Sequence, residues 1–292
     1  MFRPSGAVFV LTPSPMAYAM GYRSFAAPRL ASSGIIVIVL NPTLRFSNRV
    51  ENYRKYRPGY PAEIIPLLKS ECGLTSNSVI ADLGSGTGLF AEIFLKNGNT
   101  IFGVEPNPEM RRAGEQFLNS YPNFKSVDGT AESTTLPGHS VDFVVAGQAF
   151  HWFDRGKAHP EFQRILKPLG WVVLAWNGYR MESSQMMTAY QALVAKYGTD
   201  YSEVQREVVG IDVETFYAPG SCKCATFSFR QRFDYEGLEG RLLSSSYAPE
   251  PDHPGYEAML RDLRTVFDSN QENGQVNFDY ETEVYYGRLE KV

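Results

Sequence analysis

The sequence is poor in the residues that cross-link chains or bind metals. Its 292 residues include three cysteines and four histidines. An odd number of cysteines forms no closed disulfide framework, so we expect a reducing compartment such as the cytoplasm. Cys222 and Cys224 do not combine with the scattered histidines into the ligand spacing of a zinc site. The sequence therefore predicts no bound metal.

The sequence also lacks an excess of positive charge and a long apolar run. Its formal net charge is −4 and its isoelectric point is about 5.7, which argues against a general nucleic-acid binder. The apolar run at Ile35–Leu40 contains six residues, whereas a membrane-spanning helix needs about 20. We therefore expect neither nucleic acid nor a membrane as a partner.

Acidic residues are absent from the first fifty positions. That segment contains five arginines and is rich in serine, alanine and proline. This composition is typical of an organelle transit peptide, but an unstructured extension, or upstream sequence foreign to the protein, would have the same character. We therefore assign residues 1–43 to an N-terminal extension, with organelle targeting by residues 1–40 as one alternative, and residues 44–292 to the folded domain.

The clearest pattern in that domain lies at residues 79–95. The apolar run Val79–Leu83 contains Asp82, glycines follow at alternate positions 84, 86 and 88, and apolar residues resume at helical spacing from Leu89. This order predicts a strand, a tight loop and a helix. Glycines allow a sharp turn and a close approach of the backbone, and the free N–H groups of a helix start face a ligand. The pattern indicates a loop that binds a nucleotide-like cofactor.

Two acidic residues bear on which cofactor binds. A dinucleotide site has the pattern G-x-G-x-x-G, which would require glycine where Leu89 stands, and Asp82 would repel a pyrophosphate. A carboxylate suits a cation, and S-adenosylmethionine carries a sulfonium and an ammonium group. Glu105 ends a second predicted strand, 17 residues after Gly88, where a carboxylate can accept hydrogen bonds from ribose hydroxyls.

The segments Asp82–Gly88 and Gly103–Met110, with three later motifs, resemble class I S-adenosylmethionine-dependent methyltransferases. Within that family, the match from about Phe46 to the C-terminus is most similar to the small-molecule branch that includes trans-aconitate methyltransferases. The resemblance implies a doubly wound α/β fold with a seven-stranded, mostly parallel sheet and an antiparallel final strand. It also implies a helical insertion after strand five, at residues 177–222, as a candidate substrate lid.

The resemblance further implies S-adenosylmethionine as the cofactor and a small-molecule acceptor, of which a carboxylic acid is one case. Arg57 would pair with the cofactor carboxylate, and Asp128–Glu132 would lie along the adenine, although Asp128 and Glu132 also suit the start of a helix. The predicted cofactor-binding residues are Tyr56, Arg57, Asp82, Gly84, Ser85, Gly86, Gly88, Glu105, Pro106, Thr130, Ala131, Glu132, Gln148, Ala149 and Phe150.

His151 is the candidate catalytic residue. It follows the predicted fourth strand, Val141–Ala146, and ligands in open α/β sheets bind just outside such strand ends. It could act as a general base or only as an orienting residue. A carboxylate acceptor would need no base but would need a cation, and the candidates are Arg180, Arg241 and Arg288.

Three other functions remain open from the sequence alone. A nicotinamide-dependent oxidoreductase would share the acid at the end of the second strand. A methyltransferase of macromolecules would be expected to have a basic face. A catalytically inert cofactor-binding or partner subunit would share both the fold and the loop.

Overall fold

The computed structural model describes residues 55–199, 213–245 and 247–290. The predicted N-terminal extension at residues 1–43 lies outside the described residues. So does part of the predicted insertion, between residues 200 and 212.

Seven strands form a single sheet in these residues. They are β1 (Val79–Leu83), β2 (Thr100–Val104), β3 (Phe124–Val127), β4 (Val141–Gly147), β5 (Leu166–Tyr179), β6 (Cys222–Phe233) and β7 (Val276–Gly287). Their order is β3-β2-β1-β4-β5-β7-β6. The first five strands are parallel, and β7 lies antiparallel between β5 and β6. The predicted seven-stranded, mostly parallel sheet with an antiparallel final strand is confirmed.

Helices connect the strands. They are α1 (Ile64–Cys72), α2 (Leu89–Lys96), α3 (Pro108–Phe117), α4 (Arg155–Ile165), α5 (Gln185–Tyr197), α6 (Val213–Tyr217), α7 (Tyr235–Leu243) and α8 (Tyr256–Asn270). A 3-10 turn spans Phe150–Trp152. Asn107 caps α3, because its side-chain oxygen accepts hydrogen bonds from the backbone N–H groups of Glu109 and Met110.

Apolar residues cover both faces of the sheet. Successive side chains of a strand point to opposite faces, so Ile80 packs with α1 and α2 while Ala81 and Leu83 pack with α4 and α6. The central strands β1 and β4 are therefore buried on both sides, as their apolar runs require, whereas Lys125 and Ser126 of the edge strand β3 are exposed.

A third apolar cluster joins α5, α7 and α8 to the far half of the sheet. Met187 and Tyr190 of α5 are fully buried against α8 and Phe278 of β7. Helix α5 lies within the predicted insertion at residues 177–222, and its methionine-rich face is a packing surface.

Strand β5 begins earlier than the sequence indicates. Residues 167–170 read as a turn, but Leu166 already pairs with Val141, and the register shifts before Trp171 pairs with Phe143. Leu169 has a φ of 65° and is 75% exposed. Its backbone lies in the left-handed region, which glycine adopts without cost.

No helix of the described segments is long and apolar enough to cross a membrane. Those segments also contain no group of three or more histidine, cysteine or acidic residues placed to hold a metal ion.

Candidate functional site

A pocket with about 1180 Å³ of empty space, partly open to solvent, lies at the carboxyl ends of the parallel strands. Its walls come from the loops after β1, β2, β3 and β4 and from the end of β5. The strand order reverses between β1 and β4, which is the position where open α/β sheets bind ligands. The pocket is therefore the candidate site.

The loop after β1 forms the floor of the pocket. Gly84 and Gly86 have φ values of 65° and 56°, which disfavour any residue with a Cβ atom. A Cβ at Gly84 would lie 2.7 Å from that of Ala149, so the loops after β1 and β4 meet only because of this glycine. Ser85 and Thr87 also line the pocket.

Gly88 has a different role. Its φ is 85°, and a Cβ there would lie 2.5 Å from the Cδ1 atom of Leu118. Gly88 caps the start of α2 and is not among the residues that line the pocket. The structure therefore indicates packing, rather than ligand contact, as the reason for glycine at this position.

Asp82 is an acidic residue without a partner. Its side chain lines the pocket and is 1% exposed. Neither carboxyl oxygen has a hydrogen-bond partner among the described residues. Burial, with a smaller contribution from the charge of Glu105, raises the pKa of Asp82 well above its usual value, and the nearby backbone N–H of Ala91 opposes that shift without the geometry of a hydrogen bond. A buried acid without a partner is costly, and a cationic ligand would relieve that cost.

Glu105 holds the neighbouring loop in place. Its two oxygens accept hydrogen bonds from the backbone N–H groups of Gly86 (2.9 Å) and Asn107 (2.8 Å). Burial raises the pKa of this carboxyl group, and the two hydrogen bonds oppose that shift. Glu105 and the adjacent Pro106 both line the pocket. A carboxylate has about four acceptor sites, so Glu105 can also accept from a ligand hydroxyl.

The segment after β3 forms the next part of the wall. Thr130, Ala131 and Glu132 all line the pocket, and Thr130 and Ser133 form an isolated β-bridge. Glu132 accepts a hydrogen bond from the backbone N–H of Asp154 at 2.8 Å, which ties this segment to the one after β4.

Gln148 and Ala149 line the pocket after β4. Gln148 has a φ of 56°, a conformation that is uncommon for residues other than glycine. Its side-chain amide donates to the backbone oxygen of Asn177 at 2.8 Å. Asn177 in turn donates to the oxygen of Gly59 and accepts from Thr282. These contacts hold a strained backbone segment at the pocket edge, where strain often accompanies function.

Of the two predicted site residues before α1, one lines the pocket and the other does not. Arg57 lines the pocket, and its Nη2 atom donates to the backbone oxygen of Ser244 at 3.0 Å. Tyr56 does not line it. The Tyr56 ring occupies the space beside Gly240, and its hydroxyl donates to Glu236. Tyr56 therefore positions the segment against α7.

Phe150 and His151 also lie outside the pocket lining. Phe150 is fully buried, with its ring 4.7 Å from that of Phe216. The Nδ1 atom of His151 is buried without a partner among the described residues, and burial lowers the pKa of this imidazole to about 4. His151 is therefore neutral near pH 7; the residue as a whole is half-buried and does not line the pocket.

Of the three candidate arginines, only Arg241 lines the pocket. Arg180 is exposed. Arg288 is exposed beside the Trp171 ring, at 4.4 Å, and follows the C-terminal end of β7. Because β7 runs antiparallel to β5, that end lies beside the amino end of β5, away from the pocket at the carboxyl ends of the parallel strands.

Arg241 is buried, with 1% exposure. Its guanidinium donates to the hydroxyls of Tyr280 (2.9 Å), Ser244 and Ser245 (3.2 Å each) and Tyr179. No carboxylate forms an ion pair with it among the described residues. Among the described residues these contacts use four of its five N–H groups. The pocket is therefore lined by a buried cation that no carboxylate of those residues neutralises.

Sequence reasoning did not select several wall residues. They are Pro58, Tyr60, Thr87, Leu89, Phe90, Asn107, Met110, Gly147, Trp152, Phe153 and Asn177. Tyr60, Trp152 and Phe153 lie in aromatic segments adjacent to selected residues, which is a signal that sequence can provide. Asn177 carries no such signal, since its position depends on β5 extending to Tyr179.

Comparisons with known proteins agree on one class. Residues 81–174 match the family model described as a methyltransferase domain. An uncharacterized methyltransferase of Schizosaccharomyces pombe is 35% identical over 245 residues, which cover 82% of this chain and 95% of the yeast protein. An uncharacterized methyltransferase-like protein of the same yeast is 28% identical over 251 residues, 84% of this chain and 95% of that protein.

A solved structure has a similar fold. A protein of Anaeromyxobacter dehalogenans assigned as a type II methyltransferase superposes with a TM-score of 0.59 at 18% identity. The match covers 80% of this chain and 98% of that one.

Proposed function

Because this chain belongs to the methyltransferase family, we propose that it transfers a methyl group from S-adenosylmethionine to a small carboxylic acid. The product would be a methyl ester. Different residues of the pocket support the methyl donor and the methyl acceptor.

The donor is supported by the acids of the pocket. Asp82 supplies a buried carboxyl group without a partner for the cationic end of the cofactor. Glu105 has acceptor capacity for the ribose hydroxyls, and the guanidinium of Arg57 matches the cofactor carboxylate. The left-handed turns at Gly84 and Gly86 keep Cβ atoms out of the floor. When bound, the cofactor supplies an electrophilic methyl group on sulfur.

The acceptor is supported by one observation, the buried Arg241. Placing a guanidinium in the protein interior without an anion is costly, and this one lines the pocket with hydroxyl groups as its only side-chain partners among the described residues. A carboxylate from the acceptor could pair with this guanidinium, because the planar fork matches a carboxylate. Such a pair favours an anionic acceptor over a neutral one.

A carboxylate acceptor also fits the surroundings of His151. Carboxylic acids have pKa values near 4, so the acceptor is already ionised at neutral pH and no base has to remove a proton. The task of the chain is then to orient two reactants and exclude water, which can supply most of the rate. The absence of His151 from the pocket lining is consistent with that task.

The test is a turnover assay with methyl-labelled S-adenosylmethionine. Small carboxylic acids are offered beside the amide and the alcohol of the same carbon skeleton. We expect label in base-labile esters of the acids alone. Labelled amides or ethers would overturn the carboxylic acceptor. Binding of the cofactor with no turnover on any acceptor would favour an inert cofactor-binding subunit.

Variants of Arg241 sharpen the test. Arg241→Gln removes the charge, Arg241→Lys keeps it without the planar fork, and Arg261→Gln on the exposed surface of α8 is the matched control. We expect kcat/KM for the acid to fall at least tenfold, about 1.4 kcal/mol, in both Arg241 variants, with cofactor affinity retained. An unchanged kcat/KM in either Arg241 variant would contradict the role of Arg241.

A further inference from the structure

The surroundings of Arg241 consist of hydroxyl groups. Tyr179 and Tyr280 both bond to the guanidinium, which lies 5.2 Å from the ring centre of Tyr179 and 5.9 Å from that of Tyr280. The hydroxyl of Tyr179 also lies 3.2 Å from that of Tyr247. We call Tyr179, Tyr190, Tyr247 and Tyr280 the tyrosine cluster.

Ionisable groups reach Tyr179 from five parts of the chain. They are Arg57 before α1, Tyr190 on α5, Arg241 on α7, Tyr247 after α7 and Tyr280 on β7. The two arginines are both positively charged. Among the described residues no carboxylate pairs with Arg241, so Arg241 and the hydroxyl groups around it carry a net positive charge when every tyrosine of the cluster is protonated. In so buried a place an excess charge is unfavourable, so a group within the cluster is expected to compensate it.

Tyr179 is the member best placed to compensate that charge. Its hydroxyl accepts from Nη2 of Arg241, as that of Tyr280 accepts from Nε, and it also lies 3.2 Å from the hydroxyl of Tyr247, which can donate a second hydrogen bond to it. Burial acts to raise the pKa of Tyr179, but the guanidiniums of Arg241 and Arg57 outweigh it and lower the pKa below the usual 10. Burial raises the pKa of Tyr280 to about 12 and that of Tyr247 well above its usual value. Loss of a proton from the cluster therefore falls on Tyr179.

We propose that Tyr179 is a positioning residue whose phenolate neutralises Arg241 in the empty pocket and which takes up a proton when an anion binds there. Binding of a carboxylate then consumes one proton from solvent, which forms the O–H bond of Tyr179. The phenol remains hydrogen-bonded to Arg241, and the carboxylate now provides the negative charge. The identity of that anion as the methyl acceptor rests on the proposed function, but ionisation of Tyr179 in the empty protein does not.

This arrangement couples acceptor binding to pH. Below the pKa of Tyr179 the phenol already carries its proton, and anion binding needs no proton uptake. Above that pKa each anion competes with the phenolate, so anion affinity falls as pH rises. Without this coupling, methyl transfer to a carboxylate would not depend on pH in the alkaline range, because the carboxyl group of the acceptor is already fully ionised.

The test follows tyrosinate absorbance in the near ultraviolet during a pH titration of the ligand-free protein. We compare wild type, Tyr179→Phe and, as the matched control, Tyr121→Phe on the other side of the molecule. One tyrosine of the 17 should ionise at lower pH than the others in wild type and in the control. That early step should be missing in Tyr179→Phe. An early step that persists in Tyr179→Phe would overturn the proposal, as would its absence from wild type.

Acetate, as the probe anion, tests the linkage. Saturating acetate should move the early step upward by about one pH unit or more, a tenfold change in proton affinity. Arg241→Gln should remove both the early step and its response to acetate. An early step that acetate does not move would overturn the link to anion binding.

Two further measurements distinguish failure of the Tyr179 proposal from failure of the proposed function. If Tyr179→Phe does not fold, NMR of ring-labelled tyrosine in wild type reports the same early ionisation without a variant, and its absence there overturns the proposal. If the early step and its acetate response are found but no carboxylic acid is methylated, the proposed function fails while this inference stands. Methylation of carboxylic acids without an early step is the converse result, in which only the inference fails.

Discussion

Replacing Asp82 by asparagine should stabilise the empty protein while it weakens cofactor binding. Asp82 is 1% exposed, and neither of its oxygens has a hydrogen-bond partner among the described residues. Asparagine has nearly the same shape and carries no charge that burial penalises. The same substitution removes the only feature of this carboxyl group that a cationic ligand needs.

The pH dependence of this effect has a definite sign. The pKa of Asp82 is raised in the folded state above its unfolded value, mainly by burial. Its stabilising contribution is therefore complete below the unfolded pKa of about 3.9 and is lost as pH rises through the folded pKa. The stability difference between Asp82→Asn and wild type should be near zero at pH 4 and should grow toward neutral pH.

The size follows from the extra cost of burying a charged group instead of a neutral one, since asparagine remains polar and unpaired; a neutral polar group without a partner costs about 1–3 kcal/mol, and a charged one costs more. Each kcal/mol raises the unfolding midpoint by about 2–4 °C in chains of 150–250 residues. We therefore expect a rise of several degrees at pH 7 in a chain of this length. Cofactor affinity should fall by about 1.5–3 kcal/mol, the usual cost of losing a hydrogen bond to a charged group.

Thermal unfolding of the ligand-free protein from pH 4 to pH 8, with calorimetric titration of S-adenosylmethionine, measures both effects. Asp252→Asn is the control, because it makes the same charge change at an exposed site. A midpoint for Asp82→Asn that is equal to or below that of wild type at pH 7 would refute the reasoning. It would mean that Asp82 is ionised and compensated in the empty protein.

Other substitutions test separate parts of the site. Glu105→Ala should weaken cofactor binding by about 1.5–3 kcal/mol in calorimetry, because it removes a charged acceptor and releases the loop amides; wild-type affinity would exclude Glu105 from the site. Gly88→Ala should lower the unfolding midpoint, since its Cβ would lie 2.5 Å from Leu118; a lost cofactor affinity in a variant of unchanged midpoint would instead make Gly88 a ligand contact. Leu169→Gly should stabilise the chain by up to about 1 kcal/mol in denaturant unfolding, because its φ of 65° is costly for leucine; destabilisation would show that the exposed side chain contributes packing. His151→Gln should keep most activity, with a rate that is flat from pH 6 to 8 because burial holds the His151 pKa at about 4; a rate rising near pH 6.5 and lost in the variant would make His151 the base.

Local patterns in the sequence were sufficient for the parallel half of the fold. Strands β1, β2 and β4 are short apolar runs that end in glycine or an acid, and the loops after them carry the signals of a ligand site. Asp82 and Glu105 could be selected because each lies at the end of such a run. The two hydrogen bonds that hold Glu105 come from residues within about twenty positions along the chain.

Contacts between distant segments could not be predicted in this way. Tyr56 packs against Gly240, and Arg57 bonds to the backbone of Ser244, in both cases across more than 180 residues. The sequence shows an aromatic and basic cluster before α1. It does not show that Arg57 of this cluster lines the pocket while Tyr56 packs against α7. Phe150 is a similar case, because its burial depends on Phe216 in a helix of the insertion.

Arg241 shows the same limit in the site itself. The sequence offers three arginines that could bind an anionic acceptor, and no feature of the sequence shows which of them lies in the pocket. The difference comes from topology, because antiparallel β7 takes Arg288 away from the pocket while α7 brings Arg241 to it. The surrounding hydroxyls come from β5, α7 and β7, and no local pattern links these elements.

The donor is the central claim, and equilibrium binding tests it most directly. The wild-type protein is titrated in a calorimeter with S-adenosylmethionine and, under the same conditions, with NAD. The account predicts saturable binding of S-adenosylmethionine, weakened in Glu105→Ala, and no binding of NAD at the same concentrations. Binding of NAD without binding of S-adenosylmethionine would contradict it and would make the pocket that of a nicotinamide-dependent oxidoreductase.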